Sequence, residues 1–349
     1  MVARPRQTAR RLRVRSLDTL AARLLEGVRT WRVHSAFARA FNLVSERGDL
    51  LGVVCEPGAN GPATLVLARG DASDATTPLS GMVVPGMPAQ VNAREVVIDG
   101  ALILDCTAAE HWQPIPLTVA LPASAIRARM IQAVRLAQHT APAGGFAPLL
   151  SEAAGQHTAG DEVTSGIVDA LTVAQARQSM RRLAQAIQAE GWTAAHDAAR
   201  DLSGLGPGLT PAGDDLLAGL ALGLGAVIGA LPPALAEALV RATHGRTTDL
   251  AAARVRYAVA GHPDEHVHGL LLALLNDAGG PIEAAVVGSL EYGHSSGVDT
   301  LVGLLLGVKL GLNQSHDETS SYTTEGRIAP TRHPDPFGSL RVNSGGISR

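Results

Sequence analysis

At 349 residues the chain is long enough for one large domain or two ordinary ones, and its 46% apolar content suffices for a sizeable core. Aromatic residues make up only 3%, so that core must be built mainly from Leu, Val and Ala. A formal net charge of −3 leaves no electrostatic footprint for a nucleic-acid binder, and two cysteines, Cys55 and Cys106, are too few for a disulfide scaffold.

The N-terminus carries Arg4, Arg6, Arg10, Arg11, Arg13 and Arg15 with no apolar core and small-residue cleavage site behind them. That is not a secretory signal, and a cytoplasmic location is expected. Residues 1–15 read as a loose basic stretch and 17–25 have helical spacing, so 1–30 is expected to be a basic segment with a short helix. Over 31–120 the pattern turns to short apolar runs separated by Gly, Pro, Asn and Asp. Leu50-Leu-Gly-Val-Val-Cys55, Thr64-Leu-Val-Leu67, Met82-Val-Val84 and Val96-Val-Ile98 are examples, and they read as strands of a β-rich domain.

From 121 to 312 the texture is helical, clearest at 126–138 and 173–190. Between these, 140–166 is rich in Gly, Ala and Thr and reads as loop or short pieces. The run 216–236 carries no charge and nominally reaches membrane-spanning length. Pro232-Pro233 breaks it after about four turns, so it is expected to be a buried central helix. Residues 313–349 are polar and lack the apolar content to offset their ordering entropy, so a disordered tail is expected. The fold class is α+β, with a β-rich N-terminal domain followed by a mainly helical domain containing glycine-faced buried helices.

A weak internal repeat organises the second half. The stretch from Thr210-Pro-Ala-Gly-Asp-Asp-Leu-Leu aligns with His294-Ser-Ser-Gly-Val-Asp-Thr-Leu, 84 residues on. Gly213 then matches Gly297, Asp215 matches Asp299, Gly219 matches Gly303 and Gly223 matches Gly307. Each pair of glycines four apart lies on one helix face, and small faces allow close approach. If the two helices pack parallel, their N-termini converge and two positive dipole ends frame one anion site; if antiparallel, the ends separate.

The first copy begins Gly204-Leu-Gly206-Pro-Gly208-Leu-Thr210-Pro-Ala-Gly213-Asp214-Asp215. Thr210 suits an N-cap and Pro211 the first helical position. Gly206 and Gly208 allow positive φ and close ligand approach, and a glycine loop leading into a helix start can bind phosphate or carboxylate. The plain alternative is a tight turn whose aspartates only satisfy the helix dipole. With Lys309 the only lysine in the chain, no P-loop cation is placed there, and the Lys-Ser/Thr end of a Walker loop is missing.

In the second copy, Ser296 and Asp299 have capping-box-like spacing. The functional alternative makes His294, Ser295 and Ser296, beside Gly297, donors to an anionic or amide substrate, with His294 also able to move a proton. Asp214, Asp215 and Asp299 could instead hold a divalent cation such as Mg2+, or orient an arginine or a substrate amide. No cofactor is required by the sequence. His266 and His268 are two apart and point differently on a helix, and Pro263-Asp-Glu265, between His262 and His266, reads better as a helix start than as part of a zinc site. Thr243 to Thr248, with Arg246, could reach a ligand or simply cap a helix. His34 and Asn42 concentrate polarity within an apolar run, where a satisfied buried histidine is the plain reading.

The segment Gly206-Pro-Gly-Leu-Thr-Pro-Ala-Gly-Asp-Asp-Leu-Leu-Ala-Gly219 resembles the signature of the AllH-like family of oxamate carbamoyltransferase subunits. His34-Ser-Ala-Phe to Asn42-Leu-Val and Gly293-His-Ser-Ser-Gly-Val-Asp-Thr-Leu301 resemble that family's recurring segments. The likeness implies an enzyme subunit of allantoin catabolism that exchanges oxalurate and phosphate for oxamate and carbamoyl phosphate. It also implies two partners, an AllG-like subunit and an acyl-CoA-synthetase-like FdrA subunit. It carries no residue roles. On the residues alone, the expected proton-handling groups are Asp214, Asp215, His294 and Asp299. The expected substrate contacts are Gly206, Gly208, Thr210, Gly213, Ser295, Ser296, Gly297, His34 and Asn42.

Overall fold

The computed structural model describes residues 9–26, 29–55, 60–68, 78–141, 144–156, 170–291 and 293–321, with backbone alone at Arg29 and over 315–321. The first half is a strand system. Its elements are β1 (Arg10–Asp18), α1 (Thr19–Leu25), β2 (Arg29–Ala36), β3 (Ala40–Ser45), β4 (Leu50–Val54) and β5 (Thr64–Leu67). A 3-10 turn over Leu79–Gly81 precedes β6 (Pro88–Val91), β7 (Glu95–Ile98), β8 (Leu102–Asp105) and β9 (Glu110–Trp112).

These nine strands form one sheet in the order β5-β4-β3-β2-β6-β7-β8-β1-β9, and β5 also pairs with β1. That extra ladder closes β1 to β8 into a barrel, which removes the exposed edges an open sheet would present. β1 makes the closure by pairing parallel to β8 over Arg10 to Arg13 and antiparallel to β5 over Val14 to Leu17. The interior is filled by side chains such as Leu12, Val14, Trp31, Phe41, Leu51, Leu65 and Leu104.

Two expectations fail here. The basic stretch read as loose is, from Arg10 on, strand β1. Its arginines alternate with Leu12 and Val14, so the charges face outward and the apolar residues fill the barrel. Met82 to Val84 is not a strand; it follows the 3-10 turn, with Val83 N–H bonded to Leu79 O at 3.2 Å.

The second half is helical: α2 (Ala123–Thr140), α3 (Leu150–Ala153), α4 (Ala170–Gln188), α5 (Trp192–Leu202), α6 (Ala212–Ile228) and α7 (Pro233–Ala242). Then follow α8 (Asp249–Val259), α9 (Glu265–Leu275), α10 (Ile282–Leu290) and α11 (Ser296–Ser321). The architecture is thus α+β. The stretch expected as a disordered tail is helical as far as Ser321, and the residues beyond lie outside the described ones. The uncharged run is α6, ended at Gly229 (φ 87°) rather than at the prolines. Among the described residues no helix is long and apolar enough to cross a membrane.

α6 and α11 form the centre of the helical core. Their glycines face each other's backbone. A Cβ on Gly219 would lie 2.1 Å from Thr300 O, and one on Gly223 2.3 Å from Leu304 O. Reciprocally, a Cβ on Gly303 would lie 1.9 Å from Leu216 O, and one on Gly307 2.4 Å from Leu220 O. Residue numbers climb together on both helices, so the pair is parallel and both N-termini lie at the same end.

The helix preceding each is matched as well: a Cβ on Gly213 would meet Leu202 O of α5 at 1.9 Å, and one on Gly297 would meet Ser289 O of α10 at 2.1 Å. The sequence repeat is therefore a repeated helix pair, α5–α6 and α10–α11.

Helices and barrel share a junction. Leu20, Val44, Leu50 and Ala63 pack on Ala253 and Tyr257 of α8, and Tyr257 donates its hydroxyl to Leu50 O at 3.0 Å. Asn60 donates to Glu265 Oε2 at 2.9 Å and accepts from Ser16 Oγ at 2.6 Å.

Candidate active site

The two helix starts touch: Thr210 Oγ1 lies 3.1 Å from Ser296 Oγ. Before α6, Gly206 and Gly208 take φ of 106° and 104°, a region open to glycine at no steric cost. Among the described residues no acceptor takes the N–H of Gly206, Gly208, Leu209 or Thr210, nor the N–H of Ser296, Gly297 or Val298 at the start of α11. Gly208, Leu209 and His294 are exposed, and Thr210, Ser295 and Ser296 are half-buried. Together they form the rim.

Two glycines expected as substrate contacts are also packing points. Gly213 lies against Leu202 and donates its N–H to Leu205 O at 2.9 Å; Gly297 lies against Ser289. Neither has room on its Cα side for a ligand.

Asp214 is a structural clasp. Its buried carboxylate accepts from Ser203 Oγ (3.0 Å), Gly204 N–H (3.0 Å) and Thr247 Oγ1 (2.6 Å). Burial raises its pKa and these three donors draw it back. Thr248 caps α8 through the Ala251 N–H at 3.1 Å and also donates to Leu209 O at 2.6 Å. The Thr243 to Thr248 segment thus fixes the glycine loop, while Arg246 is exposed.

Asp215 and Asp299 are fully buried repeat-mates. Asp215 faces Arg254 of α8, with Nη1 at 3.1 Å from Oδ1. The pair is close, but its alignment falls short of a good hydrogen bond. Burial pushes the Asp215 carboxyl up to about 6, opposed by Arg254 and the Ser296 hydroxyl. Arg254 Nη2 also lies 3.3 Å from Asp264 Oδ2 and 3.3 Å from Thr300 Oγ1.

Asp299 accepts instead from the Phe146 N–H at 2.6 Å, and its Oδ2 meets no donor in hydrogen-bond geometry. Burial pushes it up to about 7, against the Phe146 N–H, with the Asp215 charge adding to the rise. The capping-box expectation is not met, because this carboxylate takes the Phe146 N–H rather than an N–H of its own helix start, where it meets only the Ser295 hydroxyl.

His34 on β2 comes within 3.3 Å of Asp249 Oδ2 at the start of α8, and its other ring nitrogen is 3.2 Å from Ser35 Oγ. Asn42 on β3 donates to the same Ser35 Oγ at 3.0 Å. The barrel motif therefore joins the helix starts through Asp249, Thr248 and Leu209. Among the described residues no three His, Cys, Asp or Glu side chains converge as a metal site, and the guanidinium of Arg254 fills the space between Asp215 and Asp264. Two surface depressions, of about 310 and 260 Å3, lie elsewhere, at α2 and α10 and outside the barrel at β1.

Arg254, Asp264 and the Phe146 N–H escaped the sequence reading. The only signal was a lone pair of arginines inside the Ala-rich segment that becomes α8.

The profile of the oxamate carbamoyltransferase subunit AllH matches residues 202–308, and that of the AllH family N-terminal domain matches residues 8–111. The chain belongs to the AllH family. The AllH match spans both helix starts, α8 and α9, and the N-terminal match spans the barrel, so every residue of the site described above except Phe146 lies inside a matched region. No curated protein and no solved structure matches the chain.

Proposed function

We propose that this AllH-family chain carries the carbamoyl-transfer site of an oxamate carbamoyltransferase, exchanging oxalurate and phosphate for oxamate and carbamoyl phosphate in allantoin catabolism. It would work in the cytoplasm with an AllG-like and an FdrA-like subunit. The observation that carries the reading is the meeting of two helix starts, with open amides at the rim and the raised carboxyls of Asp215 and Asp299 behind it.

Phosphate rests on the amides of Gly206, Gly208, Leu209, Thr210 and Ser296, where the helix dipoles favour its charge. A phosphate oxygen bonds to the carbamoyl carbon of oxalurate, and the carbonyl electrons move onto its oxygen. That oxyanion is stabilised by the remaining amides, each worth about 3 kcal/mol of barrier in comparable sites. The C–N bond then breaks and oxamate leaves as the neutral amide, taking its proton from Asp299. A carboxyl titrating near neutrality is suited to that transfer in both directions. His34 and Asn42 receive the oxamate end from the barrel side. His294, exposed at the rim, exchanges the proton with solvent.

A second reading, a non-catalytic scaffold or small-anion-binding module, draws on the complete burial of Asp215 and Asp299. The two readings separate on Asp299→Asn assembled with the partner subunits. Carbamoyl transfer through Asp299 requires turnover to fall about 10²–10⁴-fold with phosphate binding retained. Wild-type turnover by that variant supports the scaffold.

A further inference from the structure

Asp215 and Asp299 hold the same place in the two copies of the repeat, one turn into α6 and α11, and both are fully buried. Their partners differ in kind. Asp215 faces a guanidinium at 3.1 Å, whereas Asp299 takes a backbone N–H at 2.6 Å and feels the same guanidinium only as a lesser influence. A full positive charge stabilises an ionised carboxylate far more than a neutral amide does in a site closed to water.

Arg254 is itself held in place. It comes from α8, a helix outside the repeat, and its second nitrogen is fixed by Asp264 ahead of α9 and by Thr300 on α11. Its side chain is only 15% exposed. The other ionisable groups facing the cluster are few. Asp214 turns away to Ser203, Gly204 and Thr247. Glu265 turns to Asn60. His266 on α9 feels both Asp264 and Arg254, and burial lowers its pKa, which favours the neutral ring.

We propose that Arg254 is the positioning residue of the site, a fixed cation that keeps Asp215 ionised and leaves its repeat-mate Asp299 to carry the proton. The cluster then presents one carboxylate and one carboxylic acid side by side at the converged helix starts. The identical residues of a repeat are thereby given two roles by a single arginine from outside it. Its consequence for turnover rests on the carbamoyl-transfer reading; the assignment of the proton does not.

Infrared spectroscopy of the full chain near pH 7, above the Asp215 value and at that of Asp299, tests the assignment. The protonated-carboxyl band should vanish in Asp299→Asn and persist in Asp215→Asn. In Arg254→Gln a second such band should appear, and Asp215→Asn on that background should remove it. Arg254→Lys, which keeps the charge, should restore the wild-type spectrum. With the partner subunits present, and turnover requiring Asp215 ionised beside a protonated Asp299, the acidic limb of the kcat–pH profile should move up by about one to three units in Arg254→Gln and return in Arg254→Lys.

A band lost in Asp215→Asn instead of Asp299→Asn would overturn the proposal without any arginine variant having to fold. So would an Arg254→Gln chain that folds yet shows no second band and no displaced profile. If the bands follow the assignment but the assembled complex does not turn over oxalurate, the carbamoyl-transfer reading fails and the role of Arg254 stands.

Discussion

Asp215 and Asp299 are expensive residues to bury, and their titration carries a stability signature. In the unfolded chain both ionise near the ordinary carboxylate value of 3.8; in the folded chain they do so at about 6 and about 7. The folded state thus binds more protons across that window. The stability they contribute is full below about pH 4 and is lost as pH rises through 6 and 7. Burial of Asp18 and Asp214 works in the same direction. Asp299→Asn cannot ionise, so it should flatten the decline in unfolding free energy between about pH 5 and pH 8 by an amount on the order of a few kcal/mol. Denaturant titrations at the two pH values measure it, and an unaltered slope in the variant rules the burial argument out. At this scale the sequence was partly legible. Paired aspartates after a glycine loop announced a special helix start. That Asp214 is a clasp while Asp215 is not depends on Ser203, Thr247 and Arg254, which only the packing brings together.

The glycine stripes of α6 and α11 decide how the two helices meet. A helical glycine exchanged for alanine ordinarily gains about 1 kcal/mol from propensity. At Gly303 the new Cβ would lie 1.9 Å from Leu216 O, which no backbone tolerates without moving apart. Gly303→Ala should therefore destabilise the chain by about 1–3 kcal/mol against the propensity trend, read from the denaturant midpoint; a stabilised variant would mean the helices are not in this contact. Here the sequence spoke clearly, because four matched glycines at one spacing specify both the face and the repeat. Direction was the open point, and parallel packing resolves it. Strand β1 was obscured for the opposite reason: its outward arginines mask an alternation whose apolar members are only Leu12 and Val14 before the register shift that precedes Leu17.

In the whole molecule the barrel and the helices meet at a polar seam beside an apolar one. Asn60 bridges the Ser16 hydroxyl of β1 to Glu265 at the start of α9. Asn60→Ala leaves both groups short of a partner and should cost about 1–3 kcal/mol. It should also lower turnover of the assembled enzyme, since His34 reaches the helix starts only across this junction; full activity at reduced stability would separate the barrel from the chemistry. The seam was not readable beforehand, because its partners lie some two hundred residues apart in sequence. The most direct measurement concerns the rim itself: phosphate titrated into the full chain and followed by phosphorus NMR, for wild type and Gly208→Val. Gly208 has a φ of 104° and open space around it, so valine strains the loop backbone without filling a packed core. An anion seated between the helix starts demands at least about a tenfold loss of phosphate affinity, the equivalent of one charge-assisted bond. Equal affinity in the two proteins, with both folded, would contradict it.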